Sequence, residues 1–507
     1  MIDRIELPIH FTHSIKRMLP LITLSTCLLL GVVGIFLFNS QTWGLNIVLF
    51  GLLSVISLLL LRYLGEHPLG YLEYALIISG LFFLTSLAWR DSLVLNSLSL
   101  LGIFLTISLA FTLATRRRLQ RLDISEAIQD VYWLGRYCVT SYYELINKDV
   151  PWSDVQERWG QFGRAVLRGY AITIPLVLIF GLLLMASDAY FEASVKETLD
   201  WNWSRKAIAW LVVTFIISGW ITAAILRGGV LREGLVINKG FSPLSTWELG
   251  TVEITIILGT INILFLSFIV VQFTYLFAGD ILVQSFFGPS YADYARRAFF
   301  QLVIVALLMI ILLFLMHWLH RPKHYWERKL FQVLAMLIVV MTMIIETSAV
   351  YRMSLYTHVY GLTELRFYTN VFMAWLVVLF LWFSITLLLE QRKRFIFGAV
   401  LTAMVFISGL LILNPDAHIV KTNLMYAKKV GQEFDTTYTT SLSADAIPTL
   451  LEALPNIPKP HRCKLWYHLQ THPVLRASKD WRDWHWSRYQ AQKLWLPVSP
   501  KGCQWTF

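Results

Sequence analysis

Residues 298–329 read AFFQLVIVALLMIILLFLMHWLHRPKHYWERK. From Leu302 to Leu319 there is no Asp, Glu, Lys or Arg. A helix rises about 1.5 Å per residue, so roughly twenty such residues cross about 30 Å of hydrocarbon. The run closes on Trp318, a ring suited to interfacial depth, and Arg321, Lys323, Arg328 and Lys329 follow at once. Basic residues crowded against the end of a span hold that end on the cytoplasmic face. This one stretch therefore predicts both a fold class and the direction of one helix.

Working outward, the same pattern recurs. The chain has 507 residues, 56% hydrophobic and 15% charged, against about a quarter charged in soluble domains. Eleven spans are expected, at about 19–38, 44–63, 71–89, 92–114, 171–187, 206–226, 252–277, 299–319, 330–350, 370–389 and 395–414. The first is full length with no small-residue cleavage site after it, so it reads as an anchor. The expected fold is an all-α polytopic membrane bundle with a small, mostly helical extramembrane domain at the C-terminus. Four segments follow: 1–114 with four spans, an amphipathic helical insert at 115–170, seven spans over 171–414, and a tail at 415–507.

With the N-terminus inside, the inside loops carry 23 Lys and Arg against 8 outside. An odd number of spans then puts the tail outside. The net charge of +11 reads as membrane anchoring rather than nucleic-acid binding. Cys463 and Cys503 both lie in the tail, where they form a candidate disulfide, with two free thiols as the alternative.

In the insert, Ile124, Ala127, Ile128, Val131, Leu134 and Tyr137 share a helical stripe, and Ser153 with Gln156 suits a capping box. In the tail, SLSADAIPTLLEALPNIP (441–458) reads as a helix capped by Ser443, and NPDAHIVKTNLMYAKK (414–429) as another. Trp481, Trp484, Trp486 and Trp495 crowd its end and suit a small aromatic core or the membrane face.

The stretch YLFAGDILVQSFFGPSYADYARRAFFQLVIVALL (275–308) brings charge to the outer face. Ser290 and Asp293 suit a capping box, and Asp293 pairs by spacing with Arg297. Arg296 has no such local account. Glu346, placed about one turn from the outer end of its span, is the best partner for it, with Asp280 as another. Arg352, Glu364 and Arg366 face the same side. Asp280, Asp293, Arg296, Arg297, Glu346, Arg352, Glu364 and Arg366 thus form a candidate outer-face polar cluster, either structural ion pairs or a site for an anionic phospholipid or small anion. There is no metal-ligand spacing, phosphate loop, nucleophile elbow or dinucleotide fingerprint, and no cofactor is expected.

Several blocks resemble a bacterial multi-pass membrane family known as domain of unknown function 4173, which is related to 4153. They include residues 242–280, RGYAITIPLVLIFGLLLMASDAYF (168–191), YADYARR (291–297), YGLTELR (360–366), LNPDAHIVKTN (413–423), SLSADAIP (441–448) and DWRDWHWSR (480–488). The resemblance implies a bacterial inner-membrane protein and supplies no reaction or substrate. Three function classes stay open. The first is a non-enzymatic accessory or sensory component, whose partners are the bilayer and another membrane protein. The second is a transporter or channel. The third is a lipid-handling enzyme.

Overall fold

A computed structural model describes residues 9–38, 43–152, 205–230, 250–277, 291–430, 434–475 and 480–495. Among the described residues the chain is helical with no strand. The bundle helices are α1 (Ile9–Leu37), α2 (Leu45–Leu64), α3 (Tyr71–Trp89), α4 (Leu93–Arg116), α5 (Ile124–Glu144), α6 (Arg205–Val230), α7 (Thr251–Phe277), α8 (Tyr291–Leu319), α9 (Tyr325–Tyr360), α10 (Glu364–Leu388) and α11 (Phe395–Leu413). The tail adds α12 (Pro415–Val430), α13 (Thr436–Ser441), α14 (Ile447–Ala453), α15 (Lys459–Thr471) and α16 (Trp486–Leu494).

Ten of the described helices, all in the bundle and excluding α5, are long and apolar enough to cross a membrane. A helix meets the demand that lipid makes of an apolar chain, because every backbone polar group finds a partner within the segment. These ten match ten of the eleven expected spans. The other, at 171–187, lies outside the described residues. The protein is a multi-pass membrane protein.

The ends of α9 and α10 differ from expectation. The outer loop expected at 351–369 is only three residues, 361–363. Hydropathy reports where a helix leaves the hydrocarbon, and α9 continues as a helix beyond that point through YRMSLYTHVY.

Three apolar cores hold the bundle. One joins α7 to α11 around Leu258, Leu313, Ile338 and Phe383. A second joins α1, α2 and α6 around Cys27, Leu61 and Leu226. The third runs from Phe83, Leu95 and Leu411 of the bundle straight into Ile419, Ala446, Leu465 and Ala491 of the tail. The tail is therefore packed onto the bundle through a continuous core.

The two ends of the bundle are chemically distinct. At one, here called the basic end, Arg62 pairs with Glu73 at 3.0 Å, Arg116 with Asp130 at 2.8 Å, and Arg227 with Glu144 at 2.7 Å. The last two pairs set the face that α5 turns inward. Its buried residues are Asp130, Leu134 and Ser141, while Ile128 and Val131 of the expected stripe are exposed. The arginines of α4 and α6 draw the acidic side of α5 inward and leave an apolar side facing out. The start of α5 is capped by Asp123 with Glu126. Ser153 and Gln156 lie outside the described residues. The tail packs against the opposite end.

Candidate functional site

The tail end of the bundle is built from short turns. Trp89 ends α3, and Arg90, Asp91 and Ser92 lead into α4. The first amide groups of a helix have no intrahelical acceptor and make a positive helix start. Here the acceptor comes from the tail. The Asp445 carboxylate takes hydrogen bonds from the Asp91 and Ser92 amides at 2.9 and 3.0 Å. It also accepts from the Ser443 hydroxyl at 3.2 Å and from the Ser487 hydroxyl. Arg90 stands 3.7 Å away as its counter-charge. Asp445 is 2% exposed and Arg90 6%, so this is a pair withdrawn from water, held by many hydrogen bonds.

Arg90 does further work. Its guanidinium donates to the Leu411 and Ile412 carbonyls at 2.8 and 3.1 Å, which are orphan acceptors at the end of α11. Asn414 adopts a left-handed conformation there (φ 55°) and donates to the Asp445 carbonyl at 3.1 Å. The residue after α3, the end of α11 and the tail thus meet at a single point.

Asp416, fully buried, is the second carboxylate of the joint. Its Oδ2 accepts from the Ser443 hydroxyl, while Oδ1 has no hydrogen-bond partner. Burial pushes its pKa up to about 6, and the nearby Glu364 and Asp445 carboxylates add to this; the Ser443 hydrogen bonds oppose it. Beside it, Asn423 clamps the α9–α10 turn from both sides, accepting from the Leu362 amide at 2.6 Å and donating to its carbonyl at 2.8 Å. Gly361 makes that approach possible. Its backbone (φ 72°, ψ 179°) is one only glycine adopts readily, and an added Cβ would sit 3.0 Å from Asn423 Oδ1. Tyr438 completes the clamp by accepting from the Glu364 amide at 2.8 Å.

The DWRDWHWSR block closes the far side. Trp484 offers its carbonyl to the Leu45 amide at 3.1 Å, and buried His485 touches the Trp43 carbonyl. Burial holds the His485 imidazole below its ordinary pKa, hence neutral. Arg482 donates to the Phe36 carbonyl at 2.6 Å, and Arg488 pairs with Asp91 at 2.6 Å.

Of the outer cluster expected from sequence, the structure brings Glu364 and Arg366 to this joint, where Arg366 donates to the Gly361 carbonyl at 2.5 Å. Glu346 is not with them. It sits on α9 fourteen residues before Tyr360, about 21 Å along the helix. It is 2% exposed, and neither carboxylate oxygen has a hydrogen-bond partner. The apolar part of α9 ends at Tyr351, so Glu346 keeps its expected depth in the span, while the helical continuation to Tyr360 carries the α9–α10 turn away from it. Asp293, Arg296 and Arg297 fall in the first two turns of α8, and Arg352 on α9; their side chains, and Asp280 altogether, lie outside the described residues. Cys463 is disulfide-bonded, Cys27 and Cys138 are free thiols, and Cys503 lies outside the described residues.

Sequence reasoning missed Arg90, Asp416, Asp445, Ser487 and Arg488. Ser443 was expected to cap a helix starting next to it. Instead α14 starts at Ile447, and Ser443 is occupied with Asp416 and Asp445. One signal was present: LNPDAHIVKTN, SLSADAIP, YGLTELR and DWRDWHWSR supply the polar groups of the joint other than Tyr438 and those of the α3–α4 turn, Arg90, Asp91 and Ser92. No group of three or more His, Cys, Asp or Glu suited to a metal ion occurs among the described residues.

Residues 75–453 match the family model described as domain of unknown function DUF4153, the relative of 4173 named from the sequence. No curated protein and no solved structure matches the chain.

Proposed function

The chain belongs to the DUF4153 family of domains of unknown function, and from its own geometry we propose a non-enzymatic accessory or sensory component of a membrane, in which the tail senses and the bundle responds. One observation carries this reading. The central carboxylate at the tail end is spent on joining tail to bundle: Asp445 takes its four hydrogen bonds from two amides of the α3–α4 turn and two tail hydroxyls. A catalytic carboxylate needs an open side for substrate. Asp445 has none, and its arrangement suits a mechanical joint whose state depends on the tail.

Bacterial inner-membrane placement, an N-terminus inside and a tail outside belong to the same proposal. The excess of Lys and Arg on the inside loops supports it. So does the position of the chain on either side of 153–204. Glu144 and Asp149 meet Arg227 at the basic end, whereas Trp210, near the start of α6, donates to the Phe38 carbonyl at the other. One span between them, as expected at 171–187, agrees with this. The proposed partner of Cys463 is Cys503, which an outside tail would favour.

A second reading, ion-coupled transport, rests on Glu346. A buried, unpartnered carboxyl within a span is costly and commonly lies on an ion path.

Purified chain in liposomes separates the two. The accessory reading expects no flux of protons, alkali cations or chloride and no conversion of phospholipid. It further expects tail-specific crosslinks to a second membrane protein in intact cells, lost in Asp445→Ala at equal expression and helicity. Flux abolished by Glu346→Gln would establish the transport reading instead, and lipid turnover by the chain alone would overturn both.

A further inference from the structure

At the basic end, a cavity of about 550 Å³ opens between the ends of α8 and α10, the start of α9 and the α4–α5 link. Its size lies within the roughly 300–1,000 Å³ of small-molecule sites. Five cationic side chains line it, Arg121, Arg328, Arg392, Lys393 and Arg394, against one carboxylate, Glu390.

The carboxylate is already taken, since Glu390 pairs with Arg328 at 2.7 Å. Arg392 is partly taken. It donates to the His317 and Trp318 carbonyls at 3.3 and 3.4 Å, capping the end of α8, and lies 4.0 Å from Asp123. Arg121, Lys393 and Arg394 have no ion pair among the described residues. Two further polar groups belong to the cavity wall. The Nε2 atoms of His317 and His320 are buried with no hydrogen-bond partner, and His320 is only 4% exposed.

Topology alone does not require this. Orienting a span needs basic residues in the loop, not their convergence on one hollow. Here a left-handed Glu390 (φ 56°) and the single 3-10 turn Arg392–Arg394 fold the loop back onto α8. Like charges gathered beside a low-dielectric bundle repel one another, and an anion between them relieves that repulsion. Guanidinium and ammonium groups with unpartnered imidazoles match an anion having several oxygens around one centre.

We propose that this cavity binds a phosphate group, with Arg121, Lys393 and Arg394 as its charge ligands and His317 and His320 lining its inner wall. The cavity straddles the ends of the α8 and α10 spans and the start of the α9 span, at the depth of lipid headgroups. The phosphate therefore comes from an anionic phospholipid or from solution, and the chemistry of the site is the same for both.

Full-length protein is prepared in nanodiscs of phosphatidylcholine alone and titrated with inorganic phosphate against chloride at constant ionic strength. A second preparation from membranes containing phosphatidylglycerol is analysed by native mass spectrometry. Both are repeated with Arg121→Gln/Lys393→Gln/Arg394→Gln, with Arg394→Gln alone, and with Lys428→Gln/Lys429→Gln, which removes exposed charge from α12. Phosphate binding weakened at least tenfold by the triple variant, with the α12 variant unchanged, identifies a soluble ligand. Retained phosphatidylglycerol lost to a similar degree in that variant, without phosphate binding, identifies a lipid headgroup. If wild-type protein retains neither anion, or the triple and α12 variants bind alike, the proposal is wrong. Should the triple variant not fold, the wild-type arms and Arg394→Gln still decide it.

Discussion

Replacing Asp445 by alanine removes the acceptor for two backbone amides and the counter-charge of Arg90 in one step. Breaking a buried pair by deleting one partner costs about 3–5 kcal/mol, because the remaining charge stays buried. Arg90 keeps its two carbonyl acceptors on α11, and its 3.7 Å separation from Asp445 is long for an ion pair. Both place the loss in the lower part of that range, at about 3 kcal/mol. At about 1.4 kcal/mol per factor of ten, opening of the joint becomes roughly 150-fold more frequent. Hydrogen–deuterium exchange reads this directly, since the Asp91 and Ser92 amides are protected only while Asp445 holds them. Peptides covering 89–93 and 484–489 are predicted to lose protection by about that factor. A peptide covering 116–126, at the basic end, stays unchanged. Wild-type exchange over 89–93 in a folded Asp445→Ala protein would refute the assignment of Asp445 as the joint.

Four further predictions follow from the same geometry. The raised pKa of Asp416 means the docked tail binds a proton more tightly than the undocked tail. The contribution of Asp416 to docking is therefore fully present below about pH 4 and is lost as pH rises to about 6, by up to about 3 kcal/mol. Asp416→Asn should flatten the thermal midpoint over this window and raise it at pH 7, whereas an unchanged pH profile would show that Asp416 does not titrate there. Gly361→Ala forces a side chain into a glycine-only conformation and against Asn423, a cost of about 1–3 kcal/mol that should lower the midpoint; no change would mean the turn adapts freely. Glu346→Met should raise the midpoint, because a well-packed apolar side chain replaces an unpartnered buried carboxyl, and a lowered midpoint would reveal a partner for it. An impermeant thiol reagent on intact cells should label no tail cysteine until reductant is added; labelling without reductant would exclude a complete bridge at Cys463.

The spans were legible because hydrocarbon imposes one requirement on every crossing segment, and runs such as Phe395–Leu413 meet it without interruption. Helix ends were less legible. The polar turns of α9 beyond residue 350 remain helical outside the hydrocarbon, where hydropathy carries no information. The inward face of α5 was hidden because Asp130 is buried on account of Arg116 and Thr112, which lie on another helix. The joint was hidden for the same reason in stronger form. Asp445 and the Asp91 amide are 354 residues apart, so no local spacing relates them. What the sequence did contain was the list of blocks that meet, though not their meeting point.

The central claim is that the tail is docked on the bundle through the α3–α4 turn. Its most direct test is a short bis-maleimide crosslink between Asp91→Cys and Arg488→Cys in native membranes, with Cys27 and Cys138 changed to serine. These side chains approach to 2.6 Å in the protein. The account predicts near-complete intramolecular crosslinking that falls sharply when Asp445→Ala is added. Efficient labelling of each cysteine alone, with no crosslink between them, would contradict it.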